Sequence, residues 1–173
     1  QIGSQCWMAK NLDIGTMING TNSPSNNSTI EKFCYNDDTS NCNSYGALYY
    51  WDEMMQYSTT TGAQGVCPVG WHIPSDSEWQ TLEMTLGMTT ATAGLANMWR
   101  GTNEGGKLKS GGSSGYDALL SGRLSYGFFA ALNQYEYIWT SSQSGSSYAW
   151  RRCLRNSSNQ VGRYNTFPKN TGM

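Results

Sequence analysis

The stretch Cys67–Trp79 reads "CPVGWHIPSDSEW" and holds the chain's single histidine, His72, five positions after a cysteine. Three readings compete for it: a reactive thiol with its base, half of a metal site, or a staple, a turn and a helix start. The local residue order favours the third. "CPVG" is a Pro/Gly turn, and Pro74 pushes Ile73 into an extended conformation. Ser75 followed three residues later by Glu78 is a capping box, which satisfies the orphan amides at a helix start. Trp79, Leu82, Glu83 and Leu86 carry the helix on to Gly87. His72 therefore sits just upstream of a helix, not on its face.

Chemistry at this stretch has little else to draw on. A cysteine nucleophile needs a base within hydrogen-bond reach, and such dyads usually join residues distant in sequence, whereas here a Pro-Gly turn separates the two. Zinc asks for three or four ligands at characteristic spacings, and one His with scattered Cys offers none. The calcium sites of lectins need clustered Glu, Asn and Asp oxygens. Around "WTSS" no acidic cluster exists, and "NDD" at Asn36 to Asp38 lies inside a small polar loop. We expect no catalytic residues, no metal and no cofactor.

Composition narrows the class further. The chain has 173 residues, a formal net charge of −1 and 13% charged residues, against the usual value of about a quarter. Neither a charge-rich disordered chain nor a polyanion binder looks like this, and a nucleic-acid partner is not expected. Seven Trp, eleven Tyr and twenty Gly predict a loop-rich fold held by aromatic packing, in one domain spanning 1–173. No apolar run approaches the roughly 20 residues needed to span a bilayer.

Five cysteines leave an odd count. Cys34 and Cys42 flank "YNDDTSN", a short loop that a disulfide closes naturally, in keeping with an oxidising compartment. Cys6, Cys67 and Cys153 cannot all pair within the chain. Either one is free, or a partner lies beyond an end.

Away from the opening stretch, residues 21–44 read as polar loop. "YGALYYWDEMMQY" places Leu48, Trp51, Met54 and Met55 at helical spacing and predicts a first amphipathic helix. Downstream, glycine clusters in "GTNEGGKLKSGGSSG" exclude long elements. "ALLSGRLSYGFFAALNQYEYIWTSS" predicts short strands with turns at Ser121-Gly122 and Gly127, and the last third predicts a hairpin turning near "NSSNQ". The fold class is α+β: two helices early, short and mostly antiparallel strands late, long loops between.

Taken in order, "GSQCWMAKNL", "CYNDDTSNCNSYGALYYWDEMM", "CPVGWHIPSDSEWQTL", "GGKLK", "WTSS" and "YAWRRCLRNSSNQVGRY" resemble the Fibrobacter succinogenes major paralogous domain family over nearly the whole chain. The resemblance implies a C-type-lectin-like fold, related to formylglycine-generating-enzyme-type and retroelement variable-protein domains, on secreted or surface proteins of bacteria. It also implies a first strand upstream of Gln1 and a last strand beyond Met173, whose cysteine would partner Cys67. The oxidase chemistry of the formylglycine-type relatives uses a pair of cysteines near the domain's end. Cys153 stands alone there, so that activity is not expected.

The functional expectation moves to the last third. From Tyr137 onward no acidic residue occurs, while Tyr, Trp, Arg, Asn and Ser are interleaved, the residue set of rigid aromatic anchors and adaptable hydrogen bonders. Strand alternation puts Tyr148, Trp150 and Arg152 on one face, with Ala149, Arg151, Cys153 and Arg155 on the other. The bland alternative is one face in the core and the other an ordinary surface; the resemblance tips the reading toward binding. The expected function is a non-enzymatic secreted or cell-surface module that presents Tyr148, Trp150, Arg152, Arg155, Asn156, Asn159, Arg163 and Tyr164 to a protein or glycan ligand. The alternative is a structural subunit or decorating domain of a bacterial surface filament, self-associating through an edge strand.

Overall fold

The computed structural model describes residues 1–173. In chain order it contains β1 (Thr16–Met17), β2 (Glu31–Lys32), α1 (Thr39–Tyr45), α2 (Trp51–Met54), α3 (Asp76–Thr85), α4 (Thr90–Gly94), β3 (Met98–Arg100), α5 (Glu104–Leu108), β4 (Arg123–Ser125), β5 (Phe128–Ala130), β6 (Tyr135–Gln143), β7 (Tyr148–Arg155), β8 (Ser158–Pro168) and β9 (Thr171–Gly172). Two longer helices, short and mostly antiparallel strands and long connections make the α+β class that was expected.

Helix α3 begins where the capping box puts it. Ser75 Oγ accepts the Glu78 N–H, and the Glu78 carboxylate accepts the Ser75 N–H at 2.8 Å. The helix stops because Gly87 takes φ +119° while its N–H donates to Met84 C=O and Met88 N–H reaches back to Glu83 C=O, the Schellman pattern that closes a helix end. Its inward side buries Asp76, Trp79, Leu82 and Glu83. Two of those four are carboxylates, and both find guanidinium partners.

The first helix lies elsewhere than expected. Residues 39–45, read as polar loop, form α1, started by the Asp38 carboxylate accepting the Ser40 N–H and ended at Gly46 with φ +81°. "YGALYYWDEMMQY" supplies only the single turn α2. The four apolar residues at helical spacing are indeed buried, but their backbone is committed to distant segments. Leu48 pairs with Phe33, Tyr49 with Met173, and Trp51 N–H donates to Lys169 C=O. Gln56 and Tyr57, both at positive φ, end the turn. Tertiary pairing has overridden a helical pattern.

Three sheets complete the fold. The largest runs β3-β8-β7-β6, antiparallel throughout, and its central pair is the expected hairpin, turning between Arg155 and Ser158. A second sheet runs β5-β4-β9. Its β4–β5 turn uses Tyr126 and Gly127, both at positive φ (51° and 78°), as a tight hairpin turn requires. A short parallel pair, β1-β2, lies apart. Between helix and sheet, α5 presses on β8 so closely that a Cβ at Gly105 would come within 2.3 Å of the Gln160 carbonyl. The expected disulfide joins Cys34 and Cys42.

The large sheet divides the interior. One face of β7 packs Leu154 with Trp79, Leu82, Leu108 and Val161 beneath α3. The opposite face packs Ala149 and Cys153 with Tyr137, Trp139, Trp51 and Met55. Both faces of the hairpin are thus covered for much of their length, which decides what its arginines do.

Candidate functional site

Six arginines sort by sheet face. On the α3 side, Arg152 Nη1 donates to Asp76 Oδ1 at 2.6 Å and its Nε to Glu83 Oε1 at 2.7 Å. Arg163 grips the same Asp76 through Nε (3.0 Å) and Nη2 (2.6 Å). Arg100 forms a two-pronged pair with Glu83 at 2.7 and 2.9 Å. All five side chains are buried. Burial alone would raise the Asp76 carboxyl, but the Arg163 and Arg152 guanidiniums outweigh it and hold the group at about 2. This cluster locks helix to sheet, since a buried charge must be paired and hydrogen-bonded to be tolerated.

That geometry corrects the expectation for two of the eight hairpin residues. Arg152 and Arg163 face inward and have no donor face to offer a ligand. Trp150 is half-buried beneath Arg163, whose guanidinium carbon lies 4.0 Å from its ring centroid. Tyr148, Asn156 and Asn159 are exposed, with Tyr148 at one end of the hairpin and the two asparagines at the other. Asn156 Nδ2 donates to the Asn133 carbonyl. Arg155 and Tyr164 lie half-buried on the face away from α3. The eight residues do not form one patch.

A different set does come together, on that second face. The guanidinium of Arg151 lies 3.7 Å from the Phe167 ring centroid, 4.9 Å from Tyr137 and 5.3 Å from Tyr164. Arg123, carried in by β4, lies 5.3 Å from Tyr137 and 5.5 Å from Phe167. Arg155 covers Trp99 at 4.3 Å, and Tyr135 stacks on Tyr137 at 5.5 Å. These distances suit cation–π contact. No carboxylate pairs with any of these three arginines. The Nε of each is buried without a hydrogen-bond partner, and Arg151, only 5% exposed, spends one Nη on the Cys153 sulfur at 2.7 Å.

Where β4 and β5 border this face, a shallow depression of about 360 Å³ opens over Arg123, Ser125, Tyr126, Phe128, Phe167 and Pro168. Tyr126 and Phe128 stand 80% and 77% exposed, which is unusual for rings of that size. Sequence reading missed Arg123, Arg151, Tyr137, Phe167, Trp99, Tyr126 and Phe128 as a group. One usable signal was present: "SYGFF" at 125–129 puts aromatic residues beside a two-residue turn, a place with no core to fill.

The opening stretch "CPVGWHIPSDSEW" lines a second concavity, a groove of about 700 Å³. Cys67 is buried there among Met54, Tyr49, Trp139 and Met173, and burial pushes its thiol up to about 11. His72 Nε2 is engaged with Glu78 Oε1 at 2.8 Å, within the cap of α3. Cys153 is likewise pushed up to about 11 by burial, which outweighs the neighbouring arginines. Both thiols are protonated at neutral pH and lack nucleophile character. No group of three or more His, Cys, Asp or Glu side chains is placed to hold a metal ion.

The groove follows the outer edge of β6. In an antiparallel pair, alternate residues turn their backbone groups toward the partner and those between turn them outward. Tyr135 C=O accepts from Gly122 N–H on the outer side, and Ser141 N–H donates there to Pro74 C=O. Gly122 bridges Glu136 in parallel on this side, and Tyr137 and Trp139 turn their backbone toward the same outer edge from buried positions.

An α+β domain with this order of motifs defines its class through sequence as well as shape. A profile of the Fibrobacter succinogenes major domain matches residues 1–171, and the chain belongs to that family. No curated protein and no solved structure matches it.

Proposed function

We propose that this chain is a non-enzymatic binding module acting outside the cytoplasm, and that it meets a protein or glycan ligand through the arginine–aromatic face of its large sheet. The carrying observation is the sorting of arginines. Arg100, Arg152 and Arg163 are each ion-paired with Asp76 or Glu83, while Arg123, Arg151 and Arg155 rest on aromatic rings with no carboxylate. Burying unpaired cations costs folding free energy, and a surface that recruits an anionic or π-rich partner is a use for that cost. The Cys34–Cys42 disulfide supports an oxidising compartment. No helix is long and apolar enough to cross a membrane.

The test is a parallel screen of the purified domain against glycan and surface-protein arrays, with Arg155→Ala/Tyr164→Ala as the paired variant. Binding that is lost in the variant supports the module. A domain that binds nothing on either array, yet turns over a substrate, would falsify it.

The outer edge of β6, which no strand covers and only Gly122 and Pro74 bridge, favours a second reading, a subunit or decorating domain of a surface filament. An unpaired edge is a template for β-augmentation by a neighbour. Size-exclusion chromatography and electron microscopy separate the two readings: fibres or ladders of oligomers support the filament, a monodisperse monomer supports the module.

A further inference from the structure

We infer that the depression bordered by β4 and β5 is a subsite for an acidic saccharide, whose carboxylate or sulfate is taken by Arg123 while its ring lies against Phe128 and Tyr126. The inference rests on the binding-module reading and names its ligand chemistry. The Arg123 guanidinium makes no hydrogen bond to any protein group, and its Nε is buried without a partner. It is held in place from below, between the Tyr137 and Phe167 rings at 5.3 and 5.5 Å. A second cation, Arg151, lies behind the same Phe167 ring at 3.7 Å. The local charge is therefore positive, and no acidic residue lines the depression.

The shape narrows the class. A volume of about 360 Å³ lies at the small end of ligand pockets. Its walls are two highly exposed aromatic rings, Phe167, Pro168 and Ala130, with the Ser125 and Tyr126 hydroxyls as the only uncharged polar side-chain groups. Flat apolar walls suit the C–H face of a sugar ring, and two side-chain hydroxyls give little to satisfy the repeating N–H and C=O groups of an extended peptide backbone. A guanidinium fork binds carboxylate or sulfate oxygens in pairs, which a lysine in its place cannot do.

Isothermal titration calorimetry tests this with four probes of matched length: an oligogalacturonate (carboxylated), an oligocarrageenan (sulfated, without carboxylate), a methyl-esterified oligogalacturonate and a polyglutamate peptide. At least one acidic saccharide binds and the methyl ester does not; which of the two binds identifies the anionic group. Phe128→Ala, at an exposed position, weakens binding at least tenfold with an unchanged thermal midpoint. Arg123→Lys weakens it comparably while keeping the charge. Failure of both acidic saccharides, equal binding of the methyl ester, tighter binding of polyglutamate, or indifference to Phe128→Ala overturns the inference. A neutral glycan or protein ligand found on the arrays would leave the binding-module reading standing while this subsite fell.

Discussion

Asp76 shows how one carboxylate can decide the fate of two arginines. Seated at the first position of α3, it is reached by Arg152 from β7 and Arg163 from β8, which turns both guanidiniums inward. Asp76→Asn keeps the shape and removes the charge, leaving the two buried cations short of a partner. We expect a loss of about 3–5 kcal/mol, read as a lower urea midpoint with an unchanged slope. The pH dependence has a definite sign. A carboxyl held at about 2, below its ordinary 3.8, contributes stability that is complete above pH 3.8 and lost as pH falls through 2. Urea titrations across that window should show a steeper acid loss in the parent than in Asp76→Asn. The thiols make a second residue-scale prediction. Native protein treated with iodoacetamide near neutral pH should be alkylated at exposed Cys6 and spared at Cys67 and Cys153, as peptide mass spectrometry would report. Rapid labelling of Cys67 would contradict its burial.

Among the elements, α3 was legible to its ends because its signals are local. Ser75, Glu78 and Gly87 act on backbone groups within a turn of themselves. Ser75→Ala removes one half of the capping box and should cost about 1 kcal/mol, measured as a shift in thermal midpoint. The α2 region was misread for the opposite reason. Its apolar spacing reports burial, and the partners that hold its backbone, Phe33, Lys169 and Met173, lie far away in sequence. The hairpin falls between these cases. Its two strands and turn were visible as alternation, yet alternation cannot tell a solvent face from a second core. For α5, Gly105→Ala would drive a methyl group into the β8 backbone. Overpacking of that kind costs typically about 1–3 kcal/mol, so circular dichroism melts should show a clear drop in the midpoint.

Across the whole molecule, the large sheet works as a partition between two electrostatic regimes. Beneath α3 every arginine is ion-paired with Asp76 or Glu83; on the far side the arginines have ring quadrupoles and no carboxylate. The disulfide closes the Cys34–Cys42 loop around the start of α1, in the same cluster as Tyr137, Trp139 and Cys153. A loop this short restricts the unfolded chain by about 2–3 kcal/mol. Reduction should lower the thermal midpoint without disturbing the sheet, and a Cys34→Ser/Cys42→Ser variant should melt at the same temperature with or without reductant.

The residue order alone established the family, the α+β class, the capped helix after "CPVGWHIP", the closing hairpin and the Cys34–Cys42 bridge. Each of these is written in neighbouring residues or in a fixed succession of motifs. The hairpin's display surface was not. Whether Arg151 or Arg152 meets solvent, carboxylate or aromatic ring depends on which elements cover each side of β7, and those elements come from residues 76–83, 99, 123, 137 and 167. Adjacent arginines have indistinguishable local signals. Charge pairing across long sequence separations separates them, so only the assembled fold could decide which arginines meet carboxylates and which rest on aromatic rings.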